Sequence, residues 1–355
     1  MSTESRRLWN KLEQSGLVCG TEPDFGSPVT PWYVRVMLGI AGWVGALFLL
    51  GFVAVGLSFV VESTAGSLTA GVLLTGIAVA LFRALGDNDF IAQFAFAISL
   101  AGQVLILLGL AQWLNEDTAK VAFCTMLLGT ALFWLVDQFL HRFWSALVVV
   151  ASGALVIGSF GLASMLPAFG AACFTALWLT ELRFADRCGV APAFGYALTI
   201  GTLGTVFSHR IFGLSWWLDW QPDLIEPKLS MWLSAAALGL TVWLCGRYLL
   251  NRDLPVKTGR HDLILMVVSV SAALISTHAD GLVITALLIV IAHAIGNWPL
   301  LGVGLVSLLA YLSYYYYQMD LTLLTKSAVL LMVGSALLLG RWVARRMGDR
   351  SEVQS

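Results

Sequence analysis

Charge is scarce in this 355-residue chain. Asp, Glu, Lys and Arg make up 12% of it, against about a quarter of an ordinary soluble domain. With 59% hydrophobic residues and a mean hydropathy of +0.84, that shortage excludes a soluble globular domain, because much of any folded surface must face water. It excludes disordered, collagen-like and coiled-coil chains as well. Cysteine is scarce too: Cys19, Cys124, Cys173, Cys188 and Cys245 include no Cys-x-x-Cys pair, and their odd number argues against a disulfide framework. Cys124, Cys173 and Cys245 lie in apolar stretches, where a thiol acts as a small hydrophobe. The twenty basic residues form no long run, so the electrostatic footprint of nucleic-acid binding is missing.

Enzyme signatures are missing as well. The chain has no His-Glu-x-x-His, no Gly-x-x-x-x-Gly-Lys-Ser/Thr and no Gly-x-Ser-x-Gly; these would supply a zinc site, a phosphate cradle and a nucleophile elbow. Gly158-Ser159-Phe160-Gly161 has the wrong spacing for the elbow. No acid pair falls within an apolar run, as intramembrane aspartyl proteolysis would need. The expectation is a non-enzyme without cofactor or metal. The first apolar run begins only near Val36, so Arg6 and Arg7 do not head a secretory signal, and no lipidation motif is visible.

What the chain has in abundance is apolar runs near the length that crosses a bilayer as a helix, about 20 residues. Twelve are predicted, over 36–60, 65–82, 90–113, 119–136, 143–160, 166–180, 190–208, 229–250, 263–277, 281–295, 298–317 and 322–340. They do not alternate as the strands of a membrane barrel would. The predicted fold is an all-α polytopic transmembrane bundle. Residues 1–34 form a cytoplasmic segment, 35–343 the membrane domain and 344–355 a cytoplasmic tail. With the N-terminus in the cytoplasm, four of the twenty Lys and Arg fall outside (Lys120, Arg210, Lys228 and Lys326) and sixteen inside. That bias predicts an N-in, C-in topology and supports the count of twelve. Runs 263–277 and 281–295 are short and joined by His278-Ala279-Asp280. They form two short spans, the preferred reading because a bilayer thins around short helices, or one re-entrant hairpin; the charge rule does not separate these.

Leu8, Leu12 and Leu17 within 4–17 suit a short amphipathic helix on the membrane surface, or a frayed leader. Pro23, Gly26, Pro28 and Pro31 mark a linker. No internal repeat is evident. The longest basic loop, Arg247–Asp262, follows the eighth run, whereas a six-plus-six transporter would place it after the sixth.

Ionisable groups inside a membrane are costly and are default site candidates, and here most run centres have none. Gln103 is the most central polar side chain; it reads as glue between helices or as part of a polar ligand site. Asp137 and His141 are four apart, one helical turn, and read as an interfacial pair near Arg142. His278, Asp280, Asp320 and Lys326 gather on the external side, either as an ion pair holding the last helices or as the floor of an outward-facing pocket. His293, near Asn297, reads as interfacial. The Trp-rich loop with Trp216, Trp217 and Trp220, and Tyr314 to Tyr317, read as interfacial belts; the loop's sharper alternative is an aromatic platform for a sugar or lipid headgroup. Ala41 and Gly45, Ala154 and Gly158, and Ala197 and Gly201 are small pairs that let helices approach closely.

Three stretches together resemble a known family. They are Pro31-Trp32-Tyr33-Val34-Arg35-Val36, the run Phe94-Ala95-Phe96-Ala97-Ile98-Ser99-Leu100-Ala101-Gly102-Gln103, and Tyr314-Tyr315-Tyr316-Tyr317 followed by Leu321-Thr322-Leu323-Leu324-Thr325-Lys326-Ser327. The pattern is similar to a bacterial multi-pass family catalogued as domain of unknown function 4401. The resemblance implies an inner-membrane protein encoded beside other membrane proteins, places Gln103 and Lys326 inside family-like motifs, and assigns them no chemistry. The leading functional expectation is a non-enzymatic partner or scaffold for another membrane protein, in contact with the lipid bilayer and not with nucleic acid. The alternative is a transporter or flippase for an apolar or amphipathic substrate. An enzyme acting on a lipid is the remote third.

Overall fold

The computed structural model of the chain describes residues 11, 34, 37, 40–45, 47, 48, 51, 63–85, 89–180, 190–210, 225–253 and 259–318. Most of the predicted first span, the whole of the last (322–340), the Trp-rich loop and the amphipathic stretch other than Lys11 lie outside the described residues. No strand occurs among those described, and the helices follow one another directly. They are α1 (Thr64–Leu85), α2 (Asp89–Trp113), α3 (Thr118–Leu135), α4 (Phe139–Ser159), α5 (Leu166–Thr180, entered by a 3-10 turn at Ala163–Met165), α6 (Val190–Arg210), α7 (Pro227–Asp253), α8 (Gly259–Ile295) and α9 (Trp298–Gln318). By length and composition, nine helices among the described residues are apolar enough to cross a bilayer. Helices are the form such sequences must take there, because lipid offers no partner to a free N–H or C=O. The chain is a helical membrane protein.

The chain divides into two compact units, 1–109 and 110–355. In the first, α1 and α2 cross at glycine. A Cβ on Gly71 would lie 2.8 Å from both the Gly102 carbonyl oxygen and the Ile106 nitrogen. Residues 40–45 are helical and rest on α2: Trp43 Nε1 donates to Gln93 Oε1 at 3.2 Å, and its ring meets Phe96 edge-on at 5.7 Å.

The second unit packs helices that are consecutive in the chain antiparallel around Phe174, Trp178, Leu203, Leu238, Ile284 and Leu288, all buried. Its helices share two ends. At one end Tyr248 donates to the Leu179 carbonyl at 3.0 Å, Trp178 packs on Gly195, and Tyr196 donates to Asn297 Oδ1 at 2.9 Å. Leu265 joins the same end by packing on Gly246. At the opposite end Phe207 meets Tyr311 at 6.3 Å, and the Tyr311 ring covers Gly281.

These contacts fix the path of α8. An unbroken helix of its 37 residues would be about 55 Å long, against a hydrocarbon core of about 30 Å. Ala279 departs from helical geometry (φ −144°, ψ 58°). Leu265 and Asn297 lie at one end of the unit and Gly281 at the other, so the chain turns back at Ala279. The predicted runs 263–277 and 281–295 are the two arms that meet at this break.

Candidate functional site

Asp280 opens the second arm of α8. Its Oδ1 accepts from the Gly281 N–H at 3.0 Å and from the Tyr311 hydroxyl at 3.4 Å. A carboxylate suits that position, because the first N–H groups of a helix are unpaired and carry the positive end of its dipole. Gly281 is required by the Tyr311 ring, which a Cβ would strike. Tyr314 stands 6.5 Å from Tyr311, and His278 is exposed beside the break. Asp280 is thus brought together with Tyr311, and His278 stands two residues before it in the chain. Asp320 and Lys326, predicted to join them, lie outside the described residues.

Gln103 is buried in α2. Its amide donates to Ser99 Oγ at 3.1 Å, one turn earlier on the same helix. The bond is therefore not the interhelical one that was expected. The close crossing beside it is made instead by Gly71, Gly102 and Thr75, whose hydroxyl is buried without a hydrogen-bond partner. Sequence reasoning missed this crossing, although Gly71 and Thr75 have the spacing of a small-residue pair.

The expected Asp137–His141 pair does not form. α4 begins at Phe139, earlier than the predicted 143, so His141 falls in its first turn. There it is fully buried and shares a 3.2 Å hydrogen bond with Ser145. Asp137, whose side chain is 89% exposed, pairs with Arg142 instead. Asn297 does more than the sequence suggested: its Oδ1 also caps α9 by accepting from the Leu300 N–H at 3.1 Å. Gly296, at φ 72°, makes the left-handed step that ends α8. His293 is exposed. At the start of α3, Asp117 is held below its ordinary value of 3.8 by the Lys120 side chain, and further by the Lys120 backbone N–H.

Two adjoining crevices open in the second unit. One, of 310 Å3, lies among Thr130, Trp134, Ala146, Leu177, Val190 and Phe194. The other, of 270 Å3, lies among Met126, Gly153, Ile157, Phe169, Leu198 and Thr205. Val149 and Phe194 line both, so they continue one another along α4 and α6. The walls are apolar apart from Thr130, Thr202 and Thr205, and each of these hydroxyls donates to a carbonyl of its own helix at 2.7–2.8 Å. No group of three or more His, Cys, Asp or Glu among the described residues is arranged to hold a metal ion.

Neither the curated proteins nor the solved structures contain a match to this chain. A family of unassigned function does match it, over residues 31–347, a stretch that includes the nine helices of the described residues. The chain therefore belongs to the family described as domain of unknown function 4401.

Proposed function

We propose that this chain is a non-enzymatic component of the bacterial inner membrane that works by binding another membrane protein. The observation that carries this reading is that most buried hydroxyls among the described residues, Thr75 apart, are bonded within their own helices. The hydroxyls of Thr125, Thr175, Thr199, Thr241, Ser269 and Thr285 each donate to the carbonyl four residues earlier on their own helix. Every acid among the described residues stands at a helix end, a link or the Ala279 break. Such an interior lines no polar path for a hydrophilic substrate and positions no acid and base around one. The first arm of α8 packs on α7 through Leu265 and Ala273 and exposes Leu263, Met266, Val267, Val270 and Leu274 by more than half, an apolar face of the kind a partner helix covers.

In this reading the chain crosses the membrane twelve times, with both termini in the cytoplasm. The arms of α8 count as two short spans, and 36–60 and 322–340 complete the set. The Asn297 end is cytoplasmic and the Ala279 end external.

A transporter or flippase is the second reading, and the broken helix favours it. Discontinuous helices with polar groups at the break recur at transport sites, and Asp280 stands at this one. Lys326 is the counter-charge expected there. One labelling experiment separates the readings. In a chain freed of its natural cysteines, Gln103→Cys is treated from each side with a membrane-impermeant maleimide. The partner reading requires no labelling from either side; labelling from either would reveal a water path and overturn it. Its positive arm is co-purification from native membranes: a stoichiometric protein partner is lost when Val267 and Val270 are both changed to Trp.

A further inference from the structure

We infer that the crevice between the α3–α4 and α5–α6 pairs is a binding site for one bilayer phospholipid, with an acyl chain along α4 and α6 and the phosphate near Arg142. The inference goes beyond the partner reading, which rests on the face of α8. The crevice extends from Val190 to Thr205, fifteen residues of helix or about 22 Å, which is deep enough for most of a long hydrocarbon chain within a core of about 30 Å. Its three hydroxyls already donate to carbonyls of their own helices, so none of them has a proton free for a polar substrate.

Charge sets the direction of the occupant. Arg142, Ala146, Val149 and Gly153 follow one another at helical spacing, so the stripe of α4 that lines the crevice ends on a cation at the Asn297 end. The Arg142 side chain is only 13% exposed and gives one nitrogen to Asp137. Its Nε has no acceptor. A guanidinium so withdrawn from water is a stronger attractor for a phosphate than a fully solvated one. Trp134 lines the crevice at this same end and is 58% exposed, a residue type that settles at the glycerol and headgroup level. The aliphatic chain, an anionic group beside the guanidinium that Asp137 engages through one nitrogen only, and the interfacial aromatic are together met by a phospholipid.

Gly153 allows the site to be filled without disturbing the bundle, because the closest atom to an added Cβ is the Met126 sulfur at 3.8 Å. The full chain, extracted in a mild detergent and washed in a second one, is examined by native mass spectrometry. The wild type should retain about one phospholipid per chain. Gly153→Phe should reduce that occupancy about tenfold, and Arg142→Gln several-fold, with unchanged helix content. Equal retention by wild type and Gly153→Phe overturns the inference. As a check independent of Gly153→Phe folding, Gly153→Cys should resist an apolar maleimide as purified and react once the lipid is stripped. Reaction at the same rate before and after stripping would overturn the proposal. So would protection that survives stripping, because the crevice is then covered by protein, either residues 319–343 of the same chain or a second copy.

Discussion

Trp178 is buried near the Asn297 end of the second unit, and its indole N–H reaches Thr199 Oγ1 at 3.0 Å. Removing the ring and removing the bond should differ widely. Trp178→Ala should cost about 3–5 kcal/mol as a large cavity in a packed core. Thr199→Val should cost about 0.6 kcal/mol, and at most about 1.7, as is usual for hydrogen bonds between membrane helices. Denaturation in detergent measures both, and a Thr199→Val cost equal to that of Trp178→Ala would contradict this ranking. Asp117 gives a prediction in pH. Its folded value lies below 3.8, so its stabilising contribution is complete above 3.8 and disappears as the pH falls through the lowered value. Asp117→Asn should therefore be less stable than the wild type at neutral pH, with the difference closing in strong acid. A difference unchanged by acid would mean that the carboxylate plays no part.

At this scale the sequence disclosed positions better than partners. Gln103 was legible as buried and polar, but nothing in a linear reading distinguishes a partner one turn away from one on another helix. His141 was read as the interfacial partner of Asp137 because the two are one helical turn apart, near Arg142. Those two pair with each other, which frees the histidine to turn inward to Ser145.

Among the helices, glycine and the break in α8 decide what packs. Gly71 admits α2 so closely that a side chain there meets backbone atoms, which cannot move aside. Gly71→Leu should cost about 1–3 kcal/mol or force the two helices apart, read as a lower melting temperature of the full chain. Gly281→Ala should be destabilising for a different reason: its Cβ meets the flexible side of the contact, the Tyr311 ring. Tyr311→Leu in the same chain should restore part of the loss, and a double variant no better than Gly281→Ala would show that the ring is not what excludes the methyl group. Element existence was legible from run length alone, since only apolar segments of that length survive in lipid. Helix boundaries were less so: α4 begins four residues before the predicted span because polar residues at an interface look like a loop. Charge did not separate two short spans from a re-entrant hairpin over 263–295, and the break at Ala279 shows the reversal that both readings share.

For the whole molecule, the account is of a membrane bundle whose second unit has two distinct ends. Among the described residues of the second unit, Arg142, Arg247, Arg252 and Arg260 belong to the Asn297 end, while Lys120 and Lys228 begin helices and Arg210 closes one at the other. The same sorting was visible in the sequence, because cationic side chains follow the membrane side and not the fold. The use of the bundle was not legible there, since crevice walls and lipid-facing walls are built from the same residues.

The most direct test of this architecture is side-specific labelling of single cysteines at Asn115, His278 and Asn297 in intact cells and in inverted membranes. The account predicts that Asn115→Cys and His278→Cys react with an impermeant reagent from outside and that Asn297→Cys reacts only from the cytoplasmic face. Labelling of His278→Cys and Asn297→Cys from one and the same face would contradict it.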